Sequence, residues 1–420
     1  MKVLLSAYAC QPNAGTEPGH GWGLATALAR RGIQVHVLTV VEHSELIEAY
    51  LDVTPTPNVK FTFVGVPTGL FKECSGMHYA LWQCMIVFAA RKLMRTETFD
   101  LVHHITYGSI HVPTQLWRLG LPTIFGPVGG GQTAPVSMLG FFGKDRRKEE
   151  RRTLLTRIIR HSPFHRRWLA RMDKVMVANQ DTLNLARDLG CDRPEWMFEV
   201  MIPDEFPAAA PRVFQATDEP IKVLWVGRML PRKGLQLTLD AFQRVQCPST
   251  LTIVGNGMDE SELRSMIAER GLTDRVFWNN CRVPWSEVRE AYACHDVMLF
   301  TSLRETGGAQ IAEAMALGLP VITLNLHGPG EIVPDGAGFK VNAVDPAQVV
   351  PDVAAAVDTF AGLSAQERTR MSKVAWLFAR RLTYGRRAEV IEELYGQVCH
   401  QRLRPVSRDT EEVLAGSRPA

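Results

Sequence analysis

Nothing in this 420-residue chain is apolar for long enough to cross a bilayer. Its longest apolar stretch, ALWQCMIVFAA at 80–90, is too short and carries Gln83 inside it. The amino end, MKVLLSAYACQPNAG, has one lysine and a brief apolar run without the longer core of an export signal, so it reads as a first buried strand. Cysteine is sparse. The eight present include no Cys-x-x-Cys pair, which argues against a zinc site or a disulfide framework, and Cys399–His400 is only a lone neighbouring pair. A reducing, cytoplasmic setting is therefore expected. Net charge is also small. A formal +3 over this length gives no reason to expect a nucleic-acid partner.

What is present is a rhythm. Short apolar runs at Val3–Ser6, Val35–Thr39, Lys60–Val64, Leu101–His104, Thr123–Phe125 and Lys174–Ala178 alternate with helical patterns. Near-continuous apolar strands suit a parallel sheet covered on both faces. The helix GWGLATALARRGIQ, ending at Gly32, completes the first βαβ unit. The pattern stops at VMIPDEFPAAAPRVFQATDEP (200–220), whose prolines mark a linker. It resumes with IKVLWVGR, LTIVG, VFWN, VMLFTS and PVITL as strands. The expected fold class is α/β, with two Rossmann-like doubly wound parallel-sheet domains facing across a cleft. The expected bounds are 1–205 for the first domain, 206–220 for the linker and 221–380 for the second. A final helix at 381–402 is free to pack back on the first domain, and 403–420 is a mobile tail.

Residues 144–171 are strongly biased. Eleven Lys/Arg face three acids, interleaved with Leu154, Leu155, Ile158, Ile159, Trp168 and Leu169. This pattern suits either an anionic surface as partner or a solvated helix packed on its own lobe.

Chemistry concentrates in two stretches of the second half. In VLWVGRMLPRKGLQLTLDAF, Arg228 and Lys233 follow a strand and enter a helix, where two fixed cations suit a diphosphate whose charge grows as it leaves. In SLRETGGAQIAEAMALGLPVIT, Glu305 and Glu313 bracket Gly307–Gly308. Glycines there let backbone N–H groups approach a ligand, and the following helix directs its positive end the same way. Carboxylates beside a phosphate are repelled, so the two acids should face hydroxyls. A nucleotide sugar has both parts: a diphosphate between two hydroxyl-rich rings.

These stretches resemble the E-x7-E motif and the Arg…Lys donor-phosphate loop of retaining, GT-B-fold glycosyltransferases of family 4. SAYACQPNAGTEPGHGW, DLVHHITYGS and FGPVGGG resemble the bacterial subfamily that builds exopolysaccharides and surface polysaccharides. The resemblance spans most of residues 1–400 with its motifs in order. It implies that Glu313 holds the ribose, Glu305 the donor sugar, and Arg228 and Lys233 the diphosphate, while the backbones of Gly15, Gly307 and Gly308 approach the sugar phosphate. It also implies that one of His103 and His104 faces the sugar, and alternation along the strand permits only one, with His104 preferred. The bland alternative for either is a satisfied core histidine. There are departures. Thr306–Gly307–Gly308 stands where the family usually has Gly-Phe-Gly, Thr301–Ser302 where it often has Pro-Ser, and IPDEF replaces an Asn-Gly-Val-Asp-like turn.

No Asp-x-Asp occurs in the chain, so a reaction without a metal or other cofactor is the simpler expectation, with the nucleotide-diphosphate sugar as co-substrate. The expected function is transfer of a hexose to a lipid-linked or polysaccharide acceptor in bacterial polysaccharide biosynthesis. The expected place is the cytoplasm, with peripheral contact to the inner face of the plasma membrane through 144–171. A dehydrogenase reading would use GHGWG (19–23) with Glu42, but these glycines begin too far beyond the first strand. Other GT-B enzymes, such as a sugar-nucleotide epimerase, and a non-catalytic sugar-binding protein of the same fold are the remaining alternatives.

Overall fold

The aliphatic runs become strands covered on both sides in a computed structural model, which describes residues 1–67, 75–279 and 285–403. In the first lobe β1 (Lys2–Ala7), β2 (Gln34–Val40), β3 (Val59–Val64), β4 (Leu101–Thr106), β5 (Thr123–Val128), β6 (Lys174–Val177) and β7 (Glu195–Trp196) form a parallel sheet of order β3-β2-β1-β4-β5-β6-β7. In the second, β8 (Ile221–Val226), β9 (Ser249–Val254), β10 (Val276–Asn279), β11 (Val297–Phe300), β12 (Val321–Leu324) and β13 (Gly338–Val341) form another, of order β10-β9-β8-β11-β12-β13. The two-domain, doubly wound α/β architecture expected from the sequence is present. The short strands β7 and β13 were not anticipated.

Alternation along each central strand fills two cores at once. Val3 and Leu5 join one cluster under the first sheet while Leu4 joins the cluster on its other face. Val223 and Trp225 do the same against Leu224 and Val226 in the second lobe. Each sheet reverses its strand order between its first and fourth strands, β1/β4 and β8/β11. Loops leaving those strands diverge there and open a crevice at their carboxyl ends.

Several segments cross between the lobes. Ala134, Met138, Leu139 and Phe142 belong to the core of the second lobe although they follow β5 of the first. The helix Tyr384–Leu403 returns to the first lobe, where Ala388, Ile391, Leu394, Tyr395 and Val398 enter the core beside the helix Thr16–Arg30. Gly23 makes that contact possible, because a Cβ there would lie 2.2 Å from Cζ of Tyr384. Gly19, Gly21 and Gly23 thus lie within one helix and serve close packing, which removes the basis for a dinucleotide loop at 19–23. The two strands of chain that join the lobes run side by side. Ile202 N–H donates to Leu382 O at 3.0 Å, and Tyr384 N–H to Ile202 O at 2.9 Å. The proline-bearing segment is anchored, since Phe206 and Phe214 are buried in second-lobe cores. Of the expected tail at 403–420, residues 404–420 lie outside the described residues.

Candidate active site

The crevice between the lobes encloses a cavity of about 770 Å³. From the second lobe, Arg228, Arg232, Lys233, Glu305 and Gly308 line it, and from the first lobe Glu17, His20, Gly129, Gly130 and Arg152 do.

Local folding brings the two second-lobe stretches together. After β8 the chain turns through Pro231–Lys233, and Gly234 takes φ +69° with the position of a Cβ only 2.2 Å from Thr301 O. No other residue fits that approach. Thr301 Oγ1 donates to Gly234 O at 2.9 Å and contacts Thr238 Oγ1 at 2.7 Å, while Leu303 N–H donates to Arg232 O at 2.8 Å. The cation loop is thereby fastened to the acid loop, and Thr301, one of the departures from the family pattern, is the fastening. Lys233 Nζ ion-pairs with Glu305, and Arg232 Nη1 reaches the same Oε2 at 2.9 Å. Burial pushes the Glu305 carboxyl up, but the Lys233 and Arg232 charges outweigh it and hold the group at about 2. Burial in turn pulls the Lys233 ammonium below its ordinary value, against the upward influence of Glu305. Arg228 is exposed at the cleft wall and makes no ion pair among the described residues.

Gly308, at φ +81°, precedes the helix Ala309–Ala316. On that helix Glu313 is buried and its Oε2 accepts a 2.8 Å hydrogen bond from the Tyr292 hydroxyl. Glu313 and Gly307 are not among the residues that line the cavity. Gly307 faces Val200 and Glu199, and a Cβ there would come 2.6 Å from Val200 Cγ2. This is the position at which the family pattern carries an aromatic, and here Val200 occupies its space. Thr306 is gripped by the first lobe. Gln132 Nε2 donates to its Oγ1 at 2.8 Å, and Asn179 Nδ2 to its backbone oxygen at 3.1 Å. Gly129 permits this, since a Cβ there would meet Thr306 Cγ2 at 2.5 Å.

The histidine expectation is corrected. His104 is fully buried between Ser6, Tyr79 and Gln83, with Nδ1 2.8 Å from Ser6 Oγ and Nε2 2.8 Å from the Tyr79 hydroxyl. His103 is bound to the Tyr395 hydroxyl and to Gly126 O, each at 2.7 Å. Burial pushes the two rings down to about 4 for His103 and about 3 for His104, so both are neutral core residues and neither lines the cleft. β4 is buried on both faces, so neither side of the alternation reaches the cavity. Gly15 caps the helix Thr16–Arg30 and stops one residue short of the lining, which begins at Thr16.

Five charged residues were not foreseen as lining this cavity: Arg232 and Arg304 beside the predicted cation and acid loops, and Glu17, Glu199 and Arg152 from the first-lobe side. Glu17 accepts from Tyr107 N–H at 3.0 Å, and burial raises its carboxyl above the ordinary range. Glu199 is raised further, by burial and by the charges of Glu17 and Glu305. Arg152 belongs to the helix Arg146–Arg160, within the segment read from sequence as surface. Glu17 stood inside a recognised loop, but Glu199 and Arg152 carried no local signal, because each enters the cleft from an element that only the tertiary fold brings there.

Residues 20–194 match a family model described as Glycosyltransferase Family 4, and residues 220–359 one described as Glycosyl transferases group 1. The chain is 27% identical over 203 residues to the amylovoran biosynthesis glycosyltransferase AmsK of Erwinia amylovora, a match covering 43% of this chain and 46% of that protein. It is 25% identical over 373 residues to the 2-deoxystreptamine glucosyltransferase of Streptomyces kanamyceticus, covering 79% and 90%. Among solved structures, sucrose-phosphate synthase of Thermosynechococcus elongatus superposes with a TM-score of 0.66 at 18% identity, covering 94% of this chain and 98% of that one. Anabaena Alr3699/HepE in complex with UDP and glucose gives 0.59 at 15% identity, covering 94% and 100%. Identities this low speak for the fold alone. The two family models, lying in chain order on the two lobes, make the chain similar to family-4 and group-1 glycosyltransferases, and its two-lobed parallel-sheet architecture is the GT-B fold.

Proposed function

We propose that this protein is a retaining hexosyltransferase that moves a sugar from a nucleoside diphosphate donor to a lipid-linked or polysaccharide acceptor. The observation that carries this reading is the interlobe cavity, in which Arg228, Arg232 and Lys233 converge with Glu305 beside Gly308 at the start of a helix. Departure of a nucleoside diphosphate develops negative charge, and fixed cations with a helix amino end stabilise it without reorganising. Glu305, ionised at neutral pH, accepts hydrogen bonds from sugar hydroxyls, and Glu313 accepts them from the ribose. Front-face attack, with the leaving diphosphate taking the acceptor proton, needs no enzymic nucleophile and gives retention. A nucleotide donor is also supported by HepE, whose structure is a complex with UDP and glucose. Polysaccharide biosynthesis is supported by the likeness to AmsK.

Donor turnover by Arg228→Ala, Lys233→Ala and Glu313→Ala tests the reading. Each should lose at least about tenfold, and near-wild-type turnover in all three would sink it. The same proposal includes peripheral attachment to anionic membrane. Leu154 (56% exposed), Ile158 (59%) and Phe164 (59%) stand out among Arg147, Lys148, Arg151 and Arg157, while among the described residues no helix is long and apolar enough to cross a bilayer. Flotation with anionic liposomes should carry the protein upward at low salt and release it at high salt, and binding indifferent to salt and lipid charge would count against it.

A further inference from the structure

One cation in the cleft is left over after the donor has been provided for. The segment 144–171 contributes eleven basic residues, and most of those on the helix Arg146–Arg160 face solvent. Arg152 instead turns into the interlobe cavity. Its Nε is shut off from solvent, and its guanidinium makes no hydrogen bond or ion pair among the described residues. A half-buried guanidinium whose Nε is dry and unpartnered is costly unless a ligand completes it.

The neighbours deepen the anomaly. Glu149, one turn earlier on the same helix, is itself buried, but it is committed across the cleft to Arg304 at 2.6 Å. Arg232 and Lys233 are committed to Glu305. On the other wall, Glu17 and Glu199 make no ion pair with Arg152, and burial disfavours their charged forms. Burial and the repulsion of Arg304 and Arg232, against the weaker attraction of Glu149, bring the Arg152 guanidinium down to about 10. Four second-lobe cations, Arg228, Arg232, Lys233 and Arg304, face two carboxylates, Glu305 and Glu149. With Glu17 and Glu199 set aside, their charged forms being disfavoured by burial, that leaves two positive charges, which match the two negative charges of a nucleoside diphosphate sugar. Arg152 is supplied by the opposite lobe and remains unmatched with the donor in place.

We infer that Arg152 is a specificity residue that binds an anionic group on the acceptor, a phosphate or a carboxylate, in the first-lobe half of the cleft. This rests on the glycosyltransferase reading, in which the acceptor enters from the first lobe. It narrows the acceptor from any glycan or lipid-linked sugar to one carrying negative charge next to the reacting hydroxyl.

The test uses the full chain as wild type, Arg152→Gln and Arg152→Lys. Calorimetric titration first finds which of UDP, GDP and ADP binds. With that nucleotide saturating, the protein is titrated with glucose 6-phosphate, glucuronic acid and glucose. Wild type should bind one or both anionic probes at least tenfold more tightly than glucose, and the two arms separate a phosphate-reading site from a carboxylate-reading one. Arg152→Gln should abolish that preference while the nucleotide Kd stays within threefold, and Arg152→Lys should keep part of it. Three results would overturn the inference: anionic probes that compete with the nucleotide, an Arg152→Gln variant that loses nucleotide and anion affinity together, or glucose binding as tightly as the anions. If no nucleoside diphosphate binds, the glycosyltransferase reading fails on its own. The comparison of anion binding between wild type and Arg152→Gln in the nucleotide-free protein then decides whether Arg152 holds an anion, and equal binding refutes it.

Discussion

Glu305→Gln isolates the electrostatics of the site. The carboxyl is held at about 2 against an ordinary 4.5, because the charges of Lys233 and Arg232 outweigh burial. At about 1.4 kcal/mol per unit, the ionised group contributes about 3 kcal/mol to the folded state at neutral pH. The value is an upper limit, because the buried Lys233 ammonium gives part of it back. A depressed carboxyl stabilises above its unfolded value and loses that contribution as pH falls through its folded one. The term is therefore whole at pH 7, begins to decline near pH 5, and has lost about 2 kcal/mol by pH 3. Glutamine keeps the shape and removes the titration. Urea unfolding of wild type and Glu305→Gln, followed by tryptophan fluorescence at pH 7 and pH 3, should find the variant weaker by about 3 kcal/mol at the higher pH and by only about 1 kcal/mol at the lower. A gap that stays constant within about 0.5 kcal/mol would refute the claim that these two cations hold Glu305 ionised.

Other perturbations probe separate joints. Gly307→Ala places a methyl 2.6 Å from Val200 Cγ2 and should cost about 1–3 kcal/mol; adding Val200→Ala should show a favourable coupling above about 1 kcal/mol in a thermal or chemical unfolding cycle. Tyr292→Phe removes a buried 2.8 Å donor from Glu313 and should cost about 1.5–3 kcal/mol in unfolding, with nucleotide affinity reduced severalfold by calorimetry. Glu199→Gln removes a buried carboxyl disfavoured by burial and by Glu17 and Glu305. It should therefore stabilise the protein at pH 7, an advantage that fades as pH falls toward the ordinary carboxyl value, where Glu199 of the unfolded chain also takes up its proton.

The fold was legible because both sheets are built from strands buried on two faces, and such strands advertise themselves as continuous aliphatic runs. β10 at Val276–Asn279 matched the sequence reading residue for residue. β7 has only two residues, and β13 is short and half-exposed, so neither carries a comparable signal. The cation and acid loops were legible for a similar reason. Gly234 and Gly308 are needed for left-handed turns, and the charges beside them sit at strand ends, where sequence position and spatial position nearly coincide.

Where these diverge, local reading fails in a consistent direction. His104 looked functional because the family resemblance put one of two adjacent histidines at the sugar, yet Ser6 and the helix residues Tyr79 and Gln83, both remote in sequence, satisfy its ring. Arg152 looked ordinary because ten other basic residues surround it in sequence, yet it alone of them lines the interlobe cavity, without a partner. In both cases the deciding quantity is whether a polar group has been paired by remote parts of the chain, and one sequence does not record that pairing. A satisfied polar group in the core is structure; an unsatisfied one facing a cavity is a demand on a ligand. By that criterion the weight of evidence moves from His104, where family likeness put it, to Arg152. On the proposed reading, the demand that the structure leaves open then lies on the acceptor side of the cleft.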